Sequence, residues 1–370
     1  MSWARPLHVA FVLGAVATLP APAAAQRTTK VIADPDCSNC TIELTRSFTI
    51  GGIDDSSQLA QPNGAALNSK GELLLSHIAA PNQVFVYDNA GRFLRAIGRA
   101  GNGPGEFRLV RSLRIGRGDT LYVFDNGVPR ISVFDNTHTF VRAIPALLNS
   151  NDFIRLQSGE FVMNAIRRTP KEVGYPLHMV DSSGITRSFG TQKPEFRRDL
   201  ASLLNRRLAV GSDGALWAAH ETAYQIEMLD SSGRVTQRFV RDVDWFEPHA
   251  SSPRIEADKP PAPRIHDFRV DENGFLWVLI RVADPKWKDA LKPQGRLQGR
   301  TYLGYTTPDA YFDSIVEVID PRTGKLVASG RSPEAILFLL GHGAALSYRE
   351  SDSVPYVDFW RVSTQLQTGR

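Results

Sequence analysis

Beyond its N-terminal region the chain is patterned as short apolar runs, each closed by Gly, Asn, Asp or Ser, which reads as a succession of strands and tight turns. One arrangement recurs. A turn ending in Gly precedes an apolar strand at Asn68-Ser69-Lys70-Gly71, at Gly116-Arg117-Gly118-Asp119 and at Gln157-Ser158-Gly159. It returns at Ser212-Asp213-Gly214 and Glu272-Asn273-Gly274, and more weakly at Gly341-His342-Gly343. Gly supplies the positive φ that a tight hairpin needs. A later strand of each unit ends in Asp and a second turn, at Asp88, Asp135, Asp181, Asp230 and Asp320. Asp and Ser side chains bond their own backbone in such turns. A further strand then begins, as at Phe93–Ile97, Phe140–Ile144 and Val235–Phe239.

A unit of four strands repeated at roughly 40 to 50 residues predicts a propeller, because one blade cannot bury its own faces and a closed ring of blades can. The units count to six. The expected fold is therefore all-β: a six-bladed β-propeller of four-stranded antiparallel blades. The last unit, from about Ala335, lacks chain for a fourth strand, while Thr41–Ile50 is a strand without a blade. Its apolar residues Ile42, Leu44, Phe48 and Ile50 share one parity, so this segment is expected to complete the last blade and lock the ring. The fifth unit carries an insertion at about 284–309, rich in Lys, Arg and aromatics, which is expected to project from one face as a structured loop or a lid.

The N-terminus has a different character. Arg5 is followed by an apolar run from Leu7 to Leu19 and by Pro20-Ala21-Pro22-Ala23-Ala24-Ala25. A basic start, a short apolar stretch and small residues at Ala23 and Ala25 make residues 1–25 a secretory leader cleaved after Ala25. The run is too short for the roughly 20 residues of a spanning helix. No second long apolar stretch follows, so the mature chain is expected to carry no transmembrane segment and to be secreted or periplasmic. Residues 26–40 form an N-terminal segment holding the only two cysteines, Cys37 and Cys40, and residues 41–370 form one propeller domain. Thr41 follows Cys40, which excludes a c-type haem motif, and no second C-x-x-C exists for zinc. A strand rather than a helix follows, against a thioredoxin-like site. A short-loop disulfide is the expectation that remains in an oxidising compartment.

Apolar content of 42% and charged content of 22% are ordinary for a globular chain. The formal net charge is +4 with acidic and basic residues interspersed, which together with export argues against a nucleic-acid partner. No G-x-S-x-G elbow is present. Gly101-Asn102-Gly103-Pro104-Gly105 lies between strand patterns and contains proline, so it is a connector and not a dinucleotide loop. Asp271-Glu272-Asn273-Gly274 lacks the spaced carboxylates of a calcium loop.

Gly98-Arg99-Ala100-Gly101-Asn102-Gly103-Pro104-Gly105-Glu106-Phe107, with Leu121–Asn126 and Arg130–Asp135, resembles the NHL-repeat blade. The match is strongest in the first two units and loosens later, where Phe189-Gly190-Thr191-Gln192-Lys193 replaces the glycine-rich connector. The resemblance implies the propeller fold; function transfers poorly, because one fold hosts many activities.

Propellers bind at the mouth of the central channel. The residues just beyond each second strand are therefore binding candidates: His77, Asp125, Arg167, His220 and Arg281, with Asn126, Glu221 and Arg349 beside them; Arg130 joins them as an arginine suited to an anion. His77, His220 and His266 come from three blades. Converging imidazoles would hold a divalent metal, zinc or calcium, that activates water. NHL-type peptidyl-hydroxyglycine lyases are similar in plan, but only His266 lies on an inner strand here. Two functions follow. One is a binding module, expected as a monomer, that presents the channel mouth to a peptide, glycan or protein. The other is a metal-dependent lyase or hydrolase using the channel histidines.

Overall fold

The computed structural model describes residues 27–30, 40–52, 59–190, 197–250, 255–297 and 300–364. The expected leader, residues 1–25, and Cys37, one half of the expected disulfide, lie outside the described residues.

Six antiparallel four-stranded sheets follow one another along the chain. The first three blades run from Pro62–Leu67 to Phe93–Ile97, from Val110–Ile115 to Phe140–Pro145, and from Asp152–Arg155 to Gly184–Phe189. The fourth runs from Arg206–Val210 to Val235–Val240, and the fifth from Arg264–Val270 to Lys325–Ser332. The sixth is built from Ile336–Gly341, Ala344–Ser351 and Val354–Thr364, and Ile42–Gly51 is its outermost strand. That strand pairs antiparallel with Val354–Thr364, from Ile42 opposite Thr364 to Gly51 opposite Tyr356. Its apolar parity holds: Ile50 is buried, Ile42, Leu44 and Phe48 are half-buried, and the residues between them are exposed. Phe48 stacks on Phe359 at 4.6 Å. The ring is thus closed by sequence-distant ends. One strand went unpredicted: Arg27–Lys30 adds in parallel to the edge of the fourth blade, making that sheet five-stranded.

Apolar side chains pack between blades and leave the polar ones to organise the turns. Leu73, Leu75, Phe85 and Tyr87 of the first blade join Leu346, Val357 and Phe359 of the sixth in one core. Leu74, Val84 and Val86 face the second blade's Leu113, Leu121 and Val123. The alternation of neighbouring leucines between two interblade layers is the period of two of a strand buried on both faces. The recurrent Asp at the end of the third strands does what its turn requires. Asp88 Oδ1 accepts from the amides of Ala90 and Arg92 at 2.9 Å, and Asp135, Asp181 and Asp230 repeat the pattern. In the glycine-rich connector, Gly98 has φ +82°, and a Cβ there would meet the Phe107 ring at 2.3 Å.

Two inner-strand carboxylates lace neighbouring blades together. Asp152 accepts from its neighbour Phe153 N at 2.7 Å and reaches Leu208 N of the fourth blade at 2.8 Å. Asp267 accepts from Phe268 N at 2.9 Å and from Leu339 N of the sixth blade at 2.8 Å. Each satisfies backbone donors that would otherwise be buried without a partner.

The insertion lies between the second and third strands of the fifth blade. It is a short 3₁₀ turn at Trp287–Ala290, a hairpin of Leu291–Leu297 with Arg300–Tyr305, and one helical turn at Pro308–Tyr311. Trp287, Ala290, Tyr311 and Phe312 give it a small core of its own, and Tyr305 stacks on Tyr311 at 4.7 Å. Where the chain enters the ring, Cys40 O accepts from Ser329 N at 3.2 Å, which places Cys40 beside the seam between the fifth and sixth blades.

Candidate binding site: an arginine cluster at the channel mouth

The second strands end, and the inner strands begin, at one end of the channel. At the boundary of the fourth and fifth blades this geometry collects charge. Arg207 lies near the start of one inner strand and Arg264 opens the next. Arg281 stands on the neighbouring strand, directly opposite Arg264 in register. Glu221 follows the second strand of the fourth blade; its backbone ties the blades by donating to Asn205 O at 3.2 Å and accepting from Ile265 N at 2.9 Å. Its carboxylate faces Arg264 Nη1 at 3.8 Å and Arg207 Nη2 at 3.9 Å, and accepts from Asn151 Nδ2 at 3.4 Å.

Two guanidiniums, those of Arg207 and Arg264, therefore share one carboxylate, and Arg281 has no direct share of it. Arg281 is 3% exposed, and its Nε and Nη2 have no hydrogen-bond partner among the described residues. Its guanidinium lies 5.5 Å from the Phe312 ring centroid, and that of Arg264 lies 5.8 Å from the same ring. Burial and the neighbouring Arg264 pull the Arg281 pKa down to about 9. Burial, and then the charges of Arg281, Arg207 and Arg264, hold His266 well below the usual imidazole range, so it is neutral at pH 7. Its Nδ1 has no hydrogen-bond partner among the described residues. A buried charge of this kind is costly unless an opposite charge meets it. The cluster is an excess of positive charge with N–H groups left to donate: the chemistry of an anion site.

The other expected site residues are placed differently. Asp125 is fully buried and spends its carboxylate on backbone: Oδ1 accepts from Leu109 N and Gly127 N at 2.9 Å, and Oδ2 from Arg108 N at 3.0 Å. Arg130 donates to the carbonyls of Asn102, Gly103 and Glu106, clamping the glycine-rich connector. Both are structural, because an amide or carbonyl left unpaired by the sharp turns lies within their reach. Arg167 pairs with Glu172 at 3.1 Å in its own loop. Arg349 pairs with the buried Asp358 at 2.7 Å. Of the residues expected at the mouth, Arg281 and Glu221 alone enter the cluster. Arg207 and Arg264 were missed; the available signal was a charged residue at the start of an inner strand, where the ring leaves only the channel to face.

The three histidines do not gather. His77 is fully buried and stacks on Phe85 at 4.9 Å, inside the first blade. His220 belongs to a polar layer of the fourth blade, with Nε2 3.3 Å from Glu227 and 2.9 Å from Gln225. His266 lies in the fifth blade beside the arginines. Among the described residues no three His, Cys, Asp or Glu side chains group closely enough to hold a metal ion. His77 and His220 face their own blades' packing because the second strands diverge around the ring, whereas His266 lies on an inner strand.

The His220 layer has a pH signature. Burial lowers the His220 pKa to about 4, and hydrogen bonds from His220 and Arg238 help hold Glu227 at about 2 against its burial. Between pH 6.5 and 4 the unfolded chain takes up a proton at this histidine that the folded chain refuses; between 4.5 and 2 the same holds for the glutamate. Both contributions are complete above pH 6.5 and are lost on acidification. Tm is expected to fall as pH drops from 6.5 to 4, and His220→Gln, which keeps a polar group without the titration, is expected to flatten that fall; calorimetry across the range checks it.

Residues 67–212 match a family model described as a 6-bladed beta-propeller. Among solved structures, a candidate exported protein from Bacteroides fragilis superposes with a TM-score of 0.56 at 12% identity, over 92% of this chain and all of its own. A member of the DUF4221 family from Bacteroides vulgatus superposes with a TM-score of 0.58 at 10% identity, over 88% of this chain and 99% of its own. Virginiamycin B lyase from Staphylococcus aureus aligns at 12% identity over 86% of this chain and 99% of its own, with a TM-score of 0.45, too loose to bear on function. No curated protein matches the chain in sequence. Six closed blades, a family model matched over residues 67–212 and two superposable solved structures identify the chain as a six-bladed β-propeller.

Proposed function

We propose that the chain is an exported binding module that takes a doubly charged oxyanion, a phosphate or sulfate group, at the channel mouth. The observation that carries this reading is Arg281, a buried guanidinium with two nitrogens unpartnered, grouped with Arg207 and Arg264 around a single carboxylate. Three cations against one anion leave two charges to be met, and planar guanidiniums match tetrahedral oxyanions well. Neutral His266 donates to the backbone of Leu337, so its remaining ring nitrogen is an acceptor that can meet only a protonated oxygen of the ligand. The leader expected at residues 1–25 supports a place outside the cytoplasm, and Phe312 beside Arg281 is positioned to contact whatever carries the anionic group.

Isothermal titration of the mature chain with inorganic phosphate and sulfate at low ionic strength tests the reading. One equivalent is expected to bind. Arg264→Gln is expected to weaken binding about 10- to 100-fold, the loss of one charge-assisted hydrogen bond of roughly 1.5–3 kcal/mol. Raising the salt is expected to weaken it further. Absence of binding to the unmutated chain, or equal affinity after Arg264→Gln, would overturn the proposal.

A further inference from the structure

The channel has a second end, and there too arginines outnumber their partners. Arg114 of the second blade and Arg269 of the fifth, diametrically opposed in a ring of six, both line a cavity of about 200 Å³ with Arg155 of the third. Arg114 and Arg269 also line an adjoining cavity of about 360 Å³. The first two are close enough across the channel that the charge of Arg114 lowers the Arg269 pKa, second only to burial.

Their carboxylate neighbours are already committed. Arg114 pairs with Asp152, and Arg269 Nε lies 3.6 Å from Asp267 and donates to Leu339 O at 2.9 Å. Asp152 and Asp267 are the residues that hold adjoining inner strands through their amides. Arg155 stands apart. Its Nε is buried without a partner, and its guanidinium engages the Tyr122 ring at 5.8 Å. The cavity between these groups is walled by Ile154, Leu208 and Val210 as well as by Tyr122. Three guanidiniums and two carboxylates leave one positive charge beside an apolar wall.

We infer that this cavity is a second binding site, distinct from the arginine cluster at the mouth, and that it takes an organic monocarboxylate. The carboxylate meets the free edge of the Arg155 guanidinium, whose fork of parallel N–H groups fits two oxygens, and the apolar body lies against Ile154, Leu208 and Tyr122. A dianion is disfavoured there by Asp152 and Asp267, whereas at the mouth one Glu221 faces three arginines. The two ends of one channel thus select by charge: two negative charges at one, a single charge with an apolar tail at the other.

The test uses benzoate as probe and benzamide as its neutral counterpart, followed on the mature chain by saturation-transfer NMR and titration. Benzoate is expected to bind and benzamide not. Arg155→Gln is expected to weaken benzoate at least 10-fold, Arg155→Lys to restore part of the loss, and Arg264→Gln to leave it unchanged. Arg155 makes no hydrogen bond or ion pair among the described residues, so Arg155→Gln should keep the wild-type Tm; should it not, Arg155→Lys, which retains the charge, carries the comparison. Equal binding of benzamide, no binding of benzoate, or benzoate affinity that follows Arg264 and ignores Arg155 would each overturn the inference. Because the mouth is probed by phosphate and Arg264, failure here leaves that reading to its own experiment.

Discussion

Replacing Arg281 with methionine is expected to make the protein more stable and to abolish its response to phosphate. Arg281 is buried, two of its nitrogens have no partner among the described residues, and Arg264 and Arg207 beside it carry the same charge. Its pKa is pushed down from the ordinary guanidinium range to about 9. By linkage that shift is a cost of about 5 kcal/mol of holding the charged form in the folded state at neutral pH. Methionine fills similar space with no charge to desolvate, and Glu221 keeps Arg207 and Arg264 as partners, so no anion is orphaned. A gain of about 1–4 kcal/mol follows, the range seen when buried charges give way to apolar side chains. The gain has a pH dependence that a packing effect lacks. The folded chain sheds the Arg281 proton near pH 9 while the unfolded chain keeps it to much higher pH, so the wild type recovers stability as pH rises above 9 and the variant's advantage narrows. Denaturant unfolding at pH 7 and pH 10, with and without phosphate, reads both effects. Phosphate should stabilise the wild type and leave the variant unmoved. Destabilisation of the variant at pH 7 would mean that the guanidinium is held by contacts of the fold and not reserved for a ligand.

Asp125→Ala is expected to act in the opposite sense. This carboxylate accepts from three amides at 2.9–3.0 Å, and from a fourth, Val128 N, at 3.3 Å, with no exposure to water. Alanine strands those amides where no solvent can replace the acceptor. Unsatisfied buried donors cost roughly 1–3 kcal/mol each, and relaxation of the turn will recover part of it, so a loss of about 3–5 kcal/mol is expected. Asp125→Asn should recover less than half, because one oxygen becomes a donor facing donors. At temperatures where the variant remains folded, phosphate affinity should match the wild type, since Asp125 belongs to the second blade and the arginine cluster to the fourth and fifth. A variant of normal stability with altered binding would return Asp125 to the list of ligand contacts.

The contrast between these two residues shows what a sequence can carry. Both were read as candidates at the channel mouth from one fact, their position just past a second strand. That position is a local property and was legible. Whether the side chain then turns back to its own loop or out to a partner is decided by which unpaired backbone groups the next blade presents. Asp125 finds the amides of Arg108 and Leu109 from the connector before its blade; Arg281 finds only Arg264 opposite and Phe312 below.

The blades themselves were local. Turn residues at Asn68–Gly71 or Asp271–Gly274 set hairpins from a few consecutive side chains, and alternation along Ile42–Ile50 marked which face of the closing strand is buried. Strand number, blade number, ring closure and the place of the insertion follow from such short-range patterns because each blade repeats the same solution. The joining of Arg27–Lys30 to the fourth blade did not follow, since four residues with no apolar face carry no signal of the edge they meet. The sites did not follow either. Arg207, Glu221, Arg264 and Arg281 meet because two blades are adjacent, and Arg114, Arg155 and Arg269 because a ring of six brings opposite inner strands to one axis. Sequence determined the repeating unit through turn chemistry and period-two burial. The tertiary structure alone decided which charges share a channel end, because that depends on closure of the ring and on which carboxylates the backbone has already claimed.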